Sequence, residues 1–229
     1  MTVSEVIKIE KGFRLEEGVD CSFINPFSLG VVVQCLSEKE CSEIRFYADG
    51  IAVVLYARLF KRKRIERVSF DDTSIAPIVL RHAQVTQKRV ALIGGTEENI
   101  LQAAELLEKK YPSLEITYAR SGFFRSDEER QQSLAHAANA DIVIVGMGAG
   151  KQEHLLLDLR GEGWQGTGFT CGGYLDQFVQ AKGQNYYPAW VNRLNLRWLY
   201  RVMKEPNRLL KRYLKDYPKF LIKYGNKIE

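Results

Sequence analysis

Two rhythms of apolar positions alternate through the middle of the chain. Arg89-Val-Ala-Leu-Ile is a short apolar run closed by Gly94-Gly95, the signature of a buried strand. Thr96 then stands as a helix N-cap with Glu97 and Glu98 in the first turn, and Ile100, Leu101, Ala104, Leu106 and Leu107 keep helical spacing up to Tyr111-Pro112. Leu114 to Tyr118 reads as the next strand, Glu128 to Asn139 as a helix and Asp141 to Val145 as a strand. A glycine-rich turn, a helix over Glu153 to Arg160 and the apolar stretch Gly168-Phe-Thr-Cys follow. The pattern is β-α-β-α-β-α-β with glycines after the strands, which predicts an α/β fold: a Rossmann-like parallel sheet with helices on both faces. Ligands of such sheets lie beyond the carboxyl ends of the strands, where glycines 94, 95, 122, 146, 148, 172 and 173 would gather.

The first eighty residues are less regular. A helix is expected from Pro26 to Leu36, a strand over Ile44 to Tyr47, a turn at Ala48-Asp49-Gly50 and an apolar helix from Ile51 to Phe60.

With 229 residues, 45% hydrophobic and 27% charged, the chain suits one sizeable domain with or without an appendage. No signal-peptide core opens it and no apolar run is long enough to span a bilayer, so a cytoplasmic protein is expected. Cys21, Cys35, Cys41 and Cys171 form no C-x-x-C pair and read as reduced structural thiols. The net charge of +5 is uneven: residues 190–229 hold eleven Lys/Arg and three Asp/Glu, and the rest of the chain is slightly acidic. The expected organisation is an α/β body over 1–189 and a basic helical appendage over 190–229.

The stretch VGMGAGKQE, residues 145–153, joins a strand to a helix, as phosphate-holding loops do. It is not a P-loop, because Gln152 follows Gly150-Lys151 and Val145 occupies the first glycine position. Nor is it the dinucleotide fingerprint, since Gly146, Gly148 and Gly150 are spaced G-x-G-x-G.

Taken together these segments resemble the WecG/TagA/CpsF glycosyltransferases. GMGAGKQE resembles that family's G-x-G-x-P-K-Q-E signature, and LIGGTEENI with KYPSLEI, SGFF, CGGYLDQFVQAK and PAWVNRLNLRWLYRVMKEPNRLLKRYL resemble further motifs in the family's order, covering 89 to 215. YADG, ERVSFDD and INPFSL match more loosely. The resemblance implies an inverting enzyme that moves a sugar, of N-acetylmannosamine type or another hexose, from a UDP-sugar to a polyprenyl-diphosphate-linked glycan in cell-surface polysaccharide synthesis.

It further implies a role for particular residues. Asp49 matches the proposed general base, which takes the acceptor hydroxyl's proton; spacing alone also fits a helix N-cap. Arg67 is a candidate for the leaving diphosphate, Asp72 a matched acid without a defined role, and Asn25 belongs to the loosely matched first motif. Gln152 and Glu153 would meet the diphosphate or donor sugar, or merely cap the helix. Asp176 would hold ribose hydroxyls or act as an N-cap. Gly94, Gly95, Gly122, Gly146, Gly148 and Gly173 complete the expected substrate-binding set. No D-x-D clamp is present, so neither a metal nor another cofactor is expected. Three positions depart from the family pattern: Phe23 for Thr, Phe70 for Gly and Gly150 for Pro.

Arg193, Arg197 and Arg201 fall at i, i+4, i+8, one stripe of a helix that Pro206 ends, and Arg208, Lys211, Arg212 and Lys215 flank Leu209, Leu210, Tyr213, Leu214 and Tyr217 on the next. Such a basic amphipathic tail suits an anionic membrane surface, with Arg193, Arg197, Arg201, Arg208 and Arg212 reaching lipid diphosphate. The partners expected are therefore the UDP-sugar, the lipid-linked acceptor and the membrane; a homo-oligomer is left open. A catalytically inactive UDP-sugar-binding or scaffold homologue is the first alternative. A nucleic-acid binder is the second, disfavoured because no RNA or DNA module motif occurs.

Overall fold

The computed structural model describes residues 7–194 and 196–229; the side chains of Ala189, Asn192, Asn207 and Arg208 lie outside the described set. The elements are β1 (Asp20–Ile24), α1 (Pro26–Cys35), α2 (Glu38–Glu43), β2 (Ile44–Ala48), α3 (Ile51–Phe60), α4 (Ala76–Thr86), β3 (Arg89–Gly94), α5 (Glu97–Lys110), β4 (Glu115–Arg120), α6 (Asp127–Ala137), β5 (Ile142–Gly146), α7 (Lys151–Gly161), β6 (Thr167–Thr170) and α8 (Tyr174–Gln180). The C-terminal segment forms α9 (Ala189–Arg193), α10 (Arg197–Lys204), α11 (Pro206–Lys211), a π-helical turn (Arg212–Asp216) and α12 (Tyr217–Tyr224).

The strands make one six-stranded sheet in the order β2-β1-β6-β5-β3-β4, and every recorded pairing from β1 to β4 is parallel. The α/β expectation is met, and the elements read from residues 26–60 and 89–171 occur within a few residues of their expected bounds. Four of those up to Gln180 were not read: β1, α2, α4 and α8. β1 has the sequence Asp-Cys-Ser-Phe-Ile, whose polar residues hide a strand that is buried throughout.

Packing divides the chain into two compact units. One comprises the residues up to Phe13, Phe23–Ser69 and Tyr187–Glu229; the other comprises Arg14–Ser22 and Phe70–Tyr186. In the second unit Ala91, Ile93, Val143 and Val145 of β3 and β5 pack under Leu134 and Ala137 of α6 and Leu155, Leu156 and Leu159 of α7. The alternating residues Val90, Leu92, Ile142 and Ile144 are equally buried and point to the opposite face. In the first unit α12 packs on α1, with Phe220 over Gly30, where a Cβ would lie 2.6 Å from the ring, and against Phe27. A parallel bridge joins Ile7 to Ile228, and Ile9 N–H donates to Glu229 O at 2.9 Å.

Asp20, 1% exposed, receives both Nε and Nη2 of Arg160 at 2.9 Å. Arg160 also donates to the carbonyls of Trp164 and Gly166 and lies over the Trp164 ring. Gly168, the register partner of Asp20 on β6, leaves the space this carboxylate fills. Arg160→Met strands a buried carboxylate and is expected to cost about 3–5 kcal/mol in chemical denaturation, more than an Asp20→Leu/Arg160→Met double variant. A single-variant cost below about 1 kcal/mol would show the pair to be dispensable.

Candidate active site

In the second unit the carboxyl ends of the strands meet backbone to backbone. A Cβ on Gly94 would lie 2.5 Å from Gly146 O, and one on Gly122 2.6 Å from Met147 Cγ. Gly95 N–H donates to Gly146 O and Gly122 N–H to Gly95 O, each at 3.3 Å. Ser121 completes the seam: its N–H donates to Glu97 Oε2 and its Oγ to Gly95 O, both at 2.9 Å. Gly94, Gly95, Gly122 and Gly146 are thus gathered at the carboxyl ends of the strands, with Gly172 O against Gly146 and Gly173 next along the chain, while Gly148 sits on the β5–α7 loop with open space where a Cβ would stand.

That loop is pinned from below. Glu153, 0% exposed, accepts from Gly150 N–H at 2.7 Å through Oε2, and from Ser22 Oγ at 2.6 Å and Gln152 Nε2 at 3.0 Å through Oε1. Thr170 Oγ1 donates in turn to Ser22 Oγ. The Glu153 carboxylate therefore works inside the protein, bracing the helix start. Gln152, 3% exposed, has its amide nitrogen committed to Glu153, and its Oε1 is buried without a partner. A bare acceptor at a helix start calls for an O–H or N–H donor rather than a phosphate oxygen.

Asp176 lies in the first turn of α8, where Gly173 is the cap, so it is not an N-cap. Its Oδ1 accepts from Asn99 Nδ2 at 2.8 Å and would meet a Cβ on Gly95 at 2.9 Å. The Asp72 side chain is only 5% exposed. Lys110 Nζ contacts it at 2.8 Å and Tyr174 OH donates to it at 3.3 Å. Burial raises its pKa above the usual carboxylate range, against the pull of Lys110 and Tyr174. Burial likewise pushes the Tyr174 phenol well up, with Asp72 adding to the shift.

The first unit holds the other group. Asp49 follows β2, and the N-cap residue of the helix after it is Gly50, not Asp49 as spacing allowed. Its N–H donates to Ile24 O at 2.8 Å. The bridge Ala48–Arg67 brings Arg67 beside the same strand end. Arg201 on α10 lies in the electrostatic reach of Tyr187, Tyr213, Asp49 and Tyr217, and its buried Nε has no hydrogen-bond partner. Burial works against the Arg201 charge, yet these neighbours raise its pKa. Burial raises the phenols of Tyr213 and Tyr217, which stack edge to face at 4.6 Å. Tyr213 belongs to the π-helical turn, a distortion common at functional sites.

The remaining predicted residues are placed as follows. Asn25 caps α1, its Oδ1 accepting from Phe27 and Ser28 N–H. Arg197 reaches Ser69 Oγ at 3.4 Å and lies over Tyr187, and Arg212 lies over Phe27. Arg193 is exposed at the end of α9, and the Arg208 side chain is outside the described residues. The single stripe expected from Arg193 through Arg201 is corrected. Leu196 N–H turns back to Val191 O at 2.9 Å, which ends α9 before Arg197 opens α10. Sequence reasoning missed Ser22, Asn99, Tyr213 and Tyr217 as members of these clusters; the i, i+4 tyrosines were read only as part of an apolar stripe.

Phe23 and Phe70 are both buried, Phe23 stacked on Tyr47 and Phe70 packed with Phe169 and Tyr174. Gly150 has φ 83°, and its N–H is the donor to Glu153. Proline can supply neither.

The profile of the Glycosyl transferase WecG/TagA/CpsF family matches residues 41–228, and the chain belongs to that family. It is a glycosyltransferase. A UDP-Gal:alpha-D-GlcNAc-diphosphoundecaprenol beta-1,4-galactosyltransferase of Shigella boydii is 33% identical over 204 residues, covering 89% of this chain and 84% of that protein.

Gly150→Pro, which restores the family's usual residue, is expected to cost about 3 kcal/mol in denaturant unfolding, because it orphans a buried carboxylate oxygen and reverses φ. Wild-type stability in that variant would show that the loop tolerates the other backbone. For Asp72 the folded pKa lies above the unfolded one, so the folded state holds this proton more tightly and wild type loses stability as pH rises between the two values. Asp72→Asn lacks that loss. Its stability relative to wild type is expected to rise as pH increases from about 4, measured as parallel melting curves.

Proposed function

We propose that this enzyme transfers a hexose, galactose being the first candidate, from a UDP-sugar to N-acetylglucosamine carried on a polyprenyl diphosphate. The reading places the reaction at the inner face of the cell membrane. The observation that carries it on the structural side is Asp49 at the end of β2 with Arg201 close by and an Arg201 Nε–H left without a partner. The Shigella boydii relative names the substrate class. In this reading the acceptor hydroxyl oxygen attacks the anomeric carbon while Asp49 takes its proton. The bond to UDP breaks on the opposite face, inverting the centre, and Arg67 and Arg201 meet the diphosphate charge that develops. Within the second unit, Gln152 Oε1 is suited to accept from a hydroxyl or imide N–H of a UDP-sugar.

Residues 190–229 serve as the membrane appendage. No helix of the described residues is long and apolar enough to cross a membrane. Trp190, Leu194, Met203, Leu210, Leu214 and Ile222 are exposed among the basic residues of this segment, as an interfacial helix requires.

The test is UDP release from a panel of UDP-sugars with a short-chain polyprenyl-diphosphate N-acetylglucosamine acceptor, with EDTA present. Acceptor-dependent turnover is expected with UDP-galactose, and Asp49→Asn is expected to lower it by about 10²–10⁴-fold. UDP binding without turnover for any donor would mean an inactive homologue, and full turnover by Asp49→Asn would remove Asp49 as the base.

A further inference from the structure

Helix α3 leaves the Asp49–Gly50 turn with an apolar face turned to solvent. Val53 and Ala57 are buried, but Leu55, Leu59 and Phe60 are 46%, 69% and 71% exposed. Leu55 and Leu59 share a face at i, i+4, and Phe60 extends it at the helix end, stacked on Tyr56 at 4.9 Å. The chain then runs Lys61-Arg62-Lys63-Arg64, so that with Arg58 residues 51–65 carry five basic side chains and no acid. The loop is held in place: Lys61 Nζ donates to Asn226 O at 3.0 Å, and the Tyr56 ring lies against Gly225. Arg62, Lys63 and Arg64 stay exposed.

A single exposed leucine is ordinary; three large apolar side chains on one helix end, followed at once by four cations, are not. We infer that the end of α3 and the 61–64 loop form a second membrane-docking element, distinct from residues 190–229, that seats on an anionic lipid surface. The apolar tips enter the headgroup boundary and the cations meet lipid phosphates. A second copy of the chain fits less well. A two-fold contact sets a patch against itself, which would press one 61–64 run towards the other. An anionic bilayer complements both parts of the patch. The consequence for the enzyme is positional: docking α3 fixes the turn that carries Asp49 relative to the membrane.

The inference is independent of the sugar transferred. Its test is co-sedimentation of the full chain with phosphatidylcholine vesicles, with and without phosphatidylglycerol, for wild type, Leu59→Ser/Phe60→Ser and Lys63→Gln/Arg64→Gln. Every substituted side chain is exposed, so unchanged melting curves are expected. Binding of wild type to the anionic vesicles should fall at least tenfold in the apolar variant, by about 0.8 kcal/mol per buried CH₂ lost, and about thirtyfold in the charge variant, about fivefold per basic residue. Turnover of a water-soluble short-chain acceptor should be unchanged in both variants, so a failure of the transfer reading leaves the vesicle result interpretable. Wild-type vesicle binding by both variants would overturn the inference and leave docking to residues 190–229 alone. So would a shift from dimer to monomer in the apolar variant with vesicle binding unaltered, which would assign the face to a second copy.

Discussion

The glycine edge of the second unit depends on a carboxylate that no solvent reaches. Glu153 ties the Gly150 amide, the Ser22 hydroxyl on β1 and the Gln152 amide to one point. Burying a carboxyl group is tolerable only when its oxygens are met by hydrogen-bond partners, and three donors meet this one. The result is a helix start whose loop conformation and Gln152 rotamer are set together. Gln152 is left with one unanswered oxygen in a dry setting, where a single hydrogen bond to a ligand counts for more than it would in water. Proline, expected at 150 from the family resemblance, lacks the N–H that forms the Gly150–Glu153 bond.

Polar groups placed inside the fold recur. Asp20 with Arg160 joins β1 to the far end of α7, and Asp72 with Lys110 and Tyr174 joins the segment before α4 to α5 and α8. The first unit repeats the device around Arg201, where tyrosines rather than carboxylates supply most of the lining. Such pairs add little to stability compared with an apolar core of the same shape, but once formed they penalise any other register. That suits an enzyme whose reacting groups arrive from distant parts of the chain.

The strands of the second unit were legible because their residues are buried on both faces, so that Ile142-Val-Ile-Val and Val90-Ala-Leu-Ile read as plain apolar runs. β1 was not, because Asp20 and Ser22 are buried by pairing rather than by hydrophobicity, and a hydropathy pattern cannot see a partner 140 residues away in Arg160. The glycine edge could be read from glycines following strands. Which side chains braced it could not: Glu153 and Gln152 are neighbours with different fates, set by Ser22 and Gly150. The tail's charge was plain in composition. Its break after Arg193 was not, since that is decided by a backbone bond from Leu196 to Val191 that no side-chain spacing encodes.

The bridge between Ile7 and Ile228 has a bearing on synthesis. The first unit draws on both ends of the described chain, and its α1 receives Phe220 from the last helix. The second unit is nearly continuous from Phe70 to Tyr186. As the ribosome releases the chain, the glycine edge can form while the partners of α1 and Ile7 are still untranslated, because contacts of such sequence separation must wait for loop closure. Until then the apolar surface of α1 needs other cover. Contacts within the second unit can therefore close before the last helix is made, whereas α1 must wait for Phe220.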